Sequence, residues 1–589
     1  MHDSVVAMTR SHLGRRRAAG VEAGPAGRAS WACLLGGVVA ACGTSGRTSS
    51  SVSGTGAPAD TPLTVAPAVE LGWDDQTDAV GLGGLASRCR TVSFGDFDGD
   101  GAPDLVLPSA GGVRIFRNDG AGHFALWTTI PVPELPQGPE LLCAIAIADL
   151  DGDGRRDIVV GLDRAQDFAT GVAVLFNDGG GAFTKTTGTQ PQGSVLHKDG
   201  ASTHFSVFSI GVVQAQGQPP VLLLANELDG AAGMIDTTTC HYDAQHINVE
   251  CPTAIAAPTT TAFRVPLGTR TLEPVSGAGL VLPGNAQALG ISDFDHDGND
   301  DVLVALDFLP QVALRSQGAT YTDVSAAWGV DHFAHGMGVA LGDVDEDGVT
   351  DAVFATIGGF VDFKGLGAKG FERRGAASPY STLRRSVWPW SALFVDLDNN
   401  GHLDLLAINE FARHSADPVT WMQTLGGPAD FAGAFDTVIF KDSATSFREG
   451  YLPYESLLAG HARAKSVAVA DIDGDGHLEL AMLLVRASDH SQTDLVLGRV
   501  AGLASGHGLS VRLGARAGQG TRVSLTCGGR TQVRELYGAE GMGAAARTEA
   551  HFGCGDATTY EALRVEPRGR PAIDLPGGKL DAAVFVPVP

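Results

Sequence analysis

Aspartate residues at a fixed spacing are the residues of this sequence best suited to hold a ligand. In the stretch that begins at Asp96, carboxylates occupy positions 1, 3, 5 and 9, and Gly101 at position 6 permits a sharp turn. Hard cations such as Ca²⁺ prefer cages built from carboxylate and carbonyl oxygens. The spacing therefore predicts a divalent-cation site in this loop.

The same pattern occurs six times, and a glycine stands at position 6 of every copy. The residues at positions 1, 3, 5 and 9 are Asp96, Asp98, Asp100 and Asp104; Asp149, Asp151, Asp153 and Asp157; Asp293, Asp295, Asp297 and Asp301; Asp343, Asp345, Asp347 and Asp351; Asp396, Asp398, Asn400 and Asp404; and Asp471, Asp473, Asp475 and Glu479. One such loop could be a solvated turn. Six copies favour metal binding, and we expect five to six Ca²⁺ sites.

An EF-hand is the obvious alternative, and the sequence argues against it. An EF-hand needs a bidentate Glu at position 12 and a helix on each side of the loop. Position 12 is apolar in every copy, from Leu107 in the first to Met482 in the last. Short β-branched runs such as Val302-Leu303-Val304 follow the loops and are typical of buried strands. Each loop therefore joins two strands.

The charge balance fits cation binding and argues against nucleic acid as a partner. The 589-residue chain has a formal net charge of −26. The ligand positions hold 23 carboxylates, since only Asn400 replaces one. Six bound Ca²⁺ would bring the total to about −14.

The N-terminal residues predict export. Residues 1–42 combine a basic leader with an apolar run too short to span a bilayer, and they end in Val39-Ala40-Ala41-Cys42. This ending resembles the bacterial lipobox, which implies lipidation of Cys42 and a location at the outer membrane or cell surface, with the lipid anchor as the membrane contact. An ordinary secretory signal is the alternative. Residues 43–70 are rich in small and polar side chains and predict a flexible linker.

Residues 71–502 repeat a unit of about four strands around each acidic loop. The first aspartates of successive loops are separated by 53, 144, 50, 53 and 75 residues. The long gap contains two apolar runs, Phe205–Val213 and Val221–Ala225, with no acidic loop between them, and we interpret it as a unit without a metal site. Seven such units predict an all-β fold, a seven-bladed β-propeller with Ca²⁺-binding inter-strand loops.

A second internal similarity predicts how the ring closes. The stretch from Trp73 to Leu82 aligns with the stretch from Tyr321 to Val330, and each precedes an acidic loop by about 20 residues. If 321–330 forms the outer strand of one blade, residues 73–80 have no blade before them. We therefore expect them to complete the last blade.

The repeats resemble FG-GAP/VCBS repeats, as found in the integrin α-chain head and in many bacterial surface proteins. Residues 503–589, predicted as a small β-rich domain, resemble the ASPIC/UnbV domain through Leu509–Leu513, Gly528–Glu535 and His551–Gly555. Together the two regions resemble the cartilage acidic protein-like architecture. The resemblance implies that position 7 of each loop adds a backbone carbonyl ligand. These residues are Ala102, Arg155, Asn299, Val349, His402 and His477.

Six cysteines follow Cys42, an even number that suits disulfides in an exported chain. We expect pairs between Cys240 and Cys251, between Cys527 and Cys554, and between Cys89 and Cys143. Buried free thiols are the alternative.

No catalytic or cofactor-binding residue emerges from the sequence. Residues 365–370 fit G-x-G-x-x-G by letter but lie between strands, which argues against a dinucleotide site. His332, His335 and His461 are more typical of loop or core histidines than of ligands. The main hypothesis is a cell-surface, calcium-stabilised module that binds an unidentified protein or glycan. The alternatives are an extracellular enzyme with a site in the propeller channel and a structural envelope component.

Overall fold

Seven antiparallel sheets follow one another along the chain in this computed structural model. The structure describes residues 63–589 apart from 136–142, 163–168, 192–204, 229–240, 244–247, 251–259, 283, 308, 376–377, 379, 381–388, 410–435, 454–457, 459, 490–491, 504–505 and 542–546. The predicted leader, Cys42 and the pair Cys240–Cys251 lie outside these residues. In the described part of the chain, no helix is both long and apolar enough to cross a membrane.

Each sheet contains consecutive strands that pair in chain order. Sheet 1 contains Ser93–Gly95, Asp104–Ser109, Gly112–Asn118 and Phe124–Pro131; sheet 2 contains Ile145–Ala148, Asp157–Leu162, Ala169–Gly179 and Ala182–Pro191; sheet 3 contains Phe205–Val213, Val221–Leu228, Thr260–Arg264 and Glu273–Pro274. Sheet 4 contains Ala286–Ser292, Asp301–Leu306, Val312–Ser316 and Tyr321–Asp323; sheet 5 contains Gly336–Gly342, Asp351–Thr356, Gly359–Gly365 and Phe371–Arg373. Sheet 6 contains Pro389–Val395, Asp404–Asn409, Asp436–Lys441 and Ser446–Leu452; sheet 7 contains His461–Ala470, Glu479–Arg486 and Thr493–Ala501.

Short elements complete this region. Two small pairs join His241–Asp243 to Asn248–Glu250 and Leu309–Pro310 to Phe333–Ala334, and Gly367–Lys369 forms a 3₁₀ turn. Sheet 3 has four strands but no acidic loop between its first two, as expected for the unit without a metal site.

The first and second strands of these sheets are apolar over nearly their whole length because neighbouring sheets cover both of their faces. In sheet 4, every residue of Ala286–Ser292 and of Asp301–Leu306 is buried. Seven apolar clusters fill the spaces between the sheets. Six clusters each join two sheets that are consecutive along the chain, and the seventh joins sheet 7 to sheet 1, with Leu483 and Leu105 among its members.

The N-terminal strand of the predicted closure pairs with the last sheet. Gly72–Asp75 lies antiparallel to Thr493–Ala501, with Trp73 opposite Val500. The turn that follows resembles the one after Tyr321–Asp323: the Thr77 hydroxyl accepts the amide of Leu497 at 2.8 Å, and the Ser325 hydroxyl accepts the amide of Ala313 at 3.0 Å. The closing strand ends at Asp75 rather than at residue 80, because residues 78–81 turn back.

Two further findings refine the sequence predictions. Thr64–Glu70, part of the predicted linker, forms a strand parallel to Ser446–Leu452 at the edge of sheet 6. Its side chains are largely exposed, so backbone pairing rather than apolar burial holds it there, and composition gave no sign of it. Two disulfides join Cys89 to Cys143 and Cys527 to Cys554, as expected.

The C-terminal residues form two more sheets around their own apolar cluster. One sheet contains Glu549–Gly553, Gly508–Leu513 and Ala582–Val586; the other contains Arg530–Glu535, Arg522–Cys527, Thr559–Glu566 and Ile573–Lys579; Ala515–Ala517 is a 3₁₀ turn. A connecting segment, residues 536–541, reaches the first strands of three other sheets. Ala539 bridges Ile291 and Gly541 bridges Val339, while the carbonyl of Gly538 accepts the amide of Val212.

Candidate metal centres

The six acidic loops share one hydrogen-bond pattern. The carboxylate at position 1 accepts the amide of the position-6 glycine at 2.9 to 3.1 Å in every loop. The side chain at position 9 accepts the amide of position 2 at 2.9 to 3.2 Å. The side chain at position 5 accepts the amide of position 7 at 2.7 to 3.0 Å. The repeated spacing therefore folds into one repeated cage.

Two positions in each loop adopt left-handed backbone. The glycine at position 6 has φ between 79° and 93° in all six loops, which explains why only glycine stands there. Position 4 is also left-handed, although it is glycine in only three loops. In the other three it is His296, Glu346 and Asn399, with φ of 59°, 63° and 56°. The sequence gave no sign of this second turn, because the residue types at position 4 vary.

The loops bring the predicted ligands together. In five loops, three carboxylates each place an oxygen within 4.8 Å of the other two. These sets are Asp96, Asp98 and Asp104; Asp149, Asp151 and Asp157; Asp293, Asp295 and Asp297; Asp343, Asp345 and Asp347; and Asp396, Asp398 and Asp404. In the sixth loop Arg499 contacts Asp473, Asp475 and Glu479.

Burial disfavours the charged form of the carboxylates that close the loops. Desolvation raises the pKa of Asp104, Asp157 and Asp351 to about 7, and that of Asp301 and Glu479 to about 8. Four acidic groups in one small loop also repel one another. A bound divalent cation would offset both this repulsion and the free-energy cost of burying the charged carboxylates. The electrostatics of these loops therefore favour a cation.

The fifth loop fits a cation best. Asp396, Asp398 and Asp404 are 1%, 4% and 0% exposed. Asp396 Oδ2 accepts the amides of Gly401 and Gly553, whereas Asp396 Oδ1 is buried and has no hydrogen-bond partner among the described residues. An orphaned carboxylate oxygen in a buried cage is the feature that a bound Ca²⁺ would satisfy. The substitution by Asn400 lowers the charge of this loop but does not open it to solvent.

A basic side chain from outside the carboxylate set lies over each loop. Arg117 contacts Asp98 and Asp100 in the first loop, and Arg270 contacts Asp151 at 2.8 Å in the second. The others are Arg315, Lys364, Arg448 and Arg499 in loops three to six. These cations neutralise mainly the carboxylates at positions 3 and 5. The sequence predictions missed them, because they lie 17 to 119 residues from the acids that they contact.

The C-terminal domain, residues 503–589, touches all six loops. Phe585 packs against Gly101, and Arg516 packs against Gly154. An arginine of the domain contacts each of the other four loops. Arg568 pairs with Asp300 in the third loop, and Arg522 donates to the carbonyl of Gly348 in the fourth. Arg530 donates to the carbonyl of Gly401 in the fifth loop, and Arg512 donates to the carbonyl of Asp471 in the sixth. The loops that form the candidate metal centres are therefore in contact with this domain and are not a free surface.

Asn399 is the central residue of this contact. Its Oδ1 accepts His551 Nε2–H at 2.7 Å, and its Nδ2 donates to the carbonyl of Gly476 at 2.9 Å. His551 Nδ1 lies 3.0 Å from the Ser510 hydroxyl. Burial lowers the pKa of His551 to about 3, so the ring is neutral. The Ser–His–Asn order resembles a hydrolase triad, but Ser510 is fully buried, and we assign the chain of hydrogen bonds a structural role.

Comparisons with known proteins agree with the two regions recognised in the sequence. Cartilage acidic protein 1 of Xenopus tropicalis is 24% identical over 357 residues, which cover 57% of this chain and 47% of that protein. The chain thus matches about half the length of this curated relative.

Solved structures show only distant likeness. The BBS1N–ARL6DN complex matches at TM-score 0.40 and 11% identity, over 74% of this chain and 99% of that chain. A rhamnogalacturonan lyase of Bacillus licheniformis matches at TM-score 0.38 and 13% identity, over 71% and 72% of the two chains. An Agrocybe aegerita lectin specific for non-reducing terminal N-acetylglucosamine matches at TM-score 0.31 and 15% identity, over 73% and 84%.

Family models match two segments of the chain. The model of the FG-GAP-like repeat covers residues 96–160, which include the first two acidic loops, and the model named ASPIC and UnbV covers residues 513–569. The chain therefore carries an FG-GAP-like repeat and an ASPIC and UnbV domain, in the order that the sequence motifs indicated.

Proposed function

We propose that residues 71–502 form a closed seven-bladed β-propeller whose six acidic loops bind Ca²⁺. The closure is supported by the apolar cluster between sheets 7 and 1 and by the pairing of Gly72–Asp75 with the last sheet. The observation that carries the metal assignment is the buried, unpartnered Oδ1 of Asp396 inside a carboxylate cage. Ca²⁺ would be held by the side chains at positions 1, 3, 5 and 9 and would neutralise their mutual repulsion.

The chain functions in this proposal as an exported, lipid-anchored binding module. The membrane contact is the acylated Cys42, and the location is the bacterial outer membrane or cell surface. The ligand is a protein or glycan, and no chemical step is assigned to the protein. The alternatives, an enzyme or a structural envelope component, have no specific observation in their favour among the described residues.

The binding face is the one opposite the C-terminal domain. That domain contacts every acidic loop, and each loop joins the first and second strands at one end of its sheet. The second strands end and the third strands begin at the other end of the sheets, as Leu228 and Thr260 do in sheet 3 and Asn409 and Asp436 do in sheet 6. This end of the sheets is therefore the surface left for a partner.

The test is a glycan array and a panel of purified cell-surface proteins, probed with the calcium-loaded exported chain. Replacing residues 410–435 by a short Gly–Ser linker should abolish the strongest signal, because the flanking residues Asn409 and Asp436 lie at the proposed face. A control variant carries Arg564→Gln in the C-terminal domain, where Arg564 contacts only Glu566 and Asp574 among the described residues, and it should bind normally. Binding that survives the replacement, or no binding to any probe, would contradict the proposed role.

A further inference from the structure

A cavity rich in arginine lies between sheets 2 and 3 and the C-terminal domain. Its volume is about 230 Å³. The charged residues in its lining are Arg156, Arg516, Arg547, Arg568, Arg570 and Asp149. Five cations against one carboxylate is an unusual local balance in a chain with a net charge of −26. The lining therefore has the charge of an anion site.

Three of these arginines already have partners. Arg547 forms a two-point contact with Glu540, with Nε–Oε1 and Nη2–Oε2 distances of 2.8 and 3.1 Å. Arg568 pairs with Asp300, and Arg570 donates to the backbone oxygen of Pro589. These three line the wall of the cavity; carboxylates compensate the charge of Arg547 and Arg568, whereas the partner of Arg570 is a backbone oxygen.

Arg156 and Arg516 lack a close carboxylate partner. The Arg156 side chain is 6% exposed, donates to the carbonyls of Leu513 and Asp96, and has its nearest carboxylate oxygen, Asp96 Oδ2, at 3.9 Å. Arg516 is exposed and forms no hydrogen bond or ion pair with any described residue. Asp96 and Asp149 offset part of the Arg156 charge, whereas no described carboxylate pairs with Arg516.

Gln519 adds a second and independent sign of a ligand. Its side chain lines the cavity and is 7% exposed, and its Nε2 donates to the carbonyl of Ile147 at 3.3 Å. Its Oε1 is buried and has no hydrogen-bond partner among the described residues. A buried acceptor of this kind needs a donor, and leaving it unpaired costs about 1 to 3 kcal/mol. The cavity thus presents two guanidinium groups for an anion and one acceptor for a hydroxyl group.

We propose that this cavity binds a compact hydroxylated carboxylate, with the carboxylate on Arg156 and Arg516 and a hydroxyl donating to Gln519. The volume is just below the roughly 300 Å³ at which ordinary small-molecule pockets begin, so the ligand has the size of a single sugar acid rather than a chain. Because the site joins sheet 2 to the C-terminal domain, the ligand would also hold the two together. This site is distinct from the proposed partner face and does not require a partner there.

The test is calorimetric titration of the calcium-loaded chain with D-glucuronate, and with D-glucose as the neutral match. Glucuronate should bind and glucose should not. Arg516→Gln should weaken binding about tenfold, because a charge-assisted bond is lost, and Arg516→Lys should weaken it less. Arg564→Gln, an arginine of the same domain outside the cavity, should bind like the wild type.

Arg516 lies at the surface, so its variants should keep the wild-type melting temperature. Gln519→Leu tests the acceptor, and it should weaken glucuronate binding without creating glucose binding. Failure of glucuronate to bind, equal binding of glucose, or full affinity in Arg516→Gln would each overturn the proposal.

Discussion

Removal of calcium with EGTA should lower the melting temperature of this protein by roughly 7 °C. At a free calcium concentration ten times Kd, each site stabilises the folded state by about 1.4 kcal/mol, so six sites contribute roughly 8 kcal/mol. The unfolding entropy of a unit of about 530 residues is near 1.1 kcal/mol per degree, which converts that sum to the stated shift. Differential scanning calorimetry with and without EGTA measures it.

The control for this experiment is EGTA that has been saturated with calcium beforehand, which should leave the melt unchanged. Returning excess calcium should restore the original temperature, whereas the same concentration of sodium chloride should not. A shift of less than about 1 °C on chelation would show that the loops are stable without a cation, since it corresponds to less than one filled site.

Asn399→Ala should destabilise the folded chain by about 3 kcal/mol. The substitution leaves His551 Nε2–H and the carbonyl of Gly476 without their partner in a buried contact, and each unsatisfied group costs about 1 to 3 kcal/mol. Asn399 is 1% exposed, so water cannot replace the lost bonds. Urea unfolding in saturating calcium measures the change.

His296→Ala is the matched control. His296 occupies the same position 4 of the third loop and has the same left-handed backbone, with φ of 59° against 56° for Asn399. Its side chain is exposed, and substitution there should change stability by less than about 0.5 kcal/mol. Equal effects of the two substitutions would mean that the loop conformation, not the contact with the C-terminal domain, determines the loss.

The sequence predicted the parts of this protein that depend on local spacing. The acidic loops, their glycine at position 6 and the strands on either side repeat within a few residues, so one pattern describes all of them. The closing strand at Trp73 could be predicted because a similar stretch at Tyr321 forms an ordinary outer strand. Local repetition was therefore enough to predict most of the fold.

The contacts between the C-terminal domain and the acidic loops could not be predicted from spacing. Asn399 and His551 are 152 residues apart, and Arg156 reaches the carbonyl of Leu513 across 357 residues. Each of these residues lies in a motif, but neither motif shows which residue of the other it contacts, because that pairing depends on the folded sheets. The arginine cavity could not be predicted for the same reason, since its five cations come from four separate stretches of chain.

Crystals of the exported chain grown in excess calcium test the central claim most directly, through the anomalous signal of the bound ions. The account predicts a calcium peak in each of the six acidic loops, about 2.3 to 2.6 Å from its carboxylate oxygens, within seven sheets that close into a ring. Loops without calcium peaks, above all the buried loop of Asp396, or an open arrangement of the sheets would contradict it.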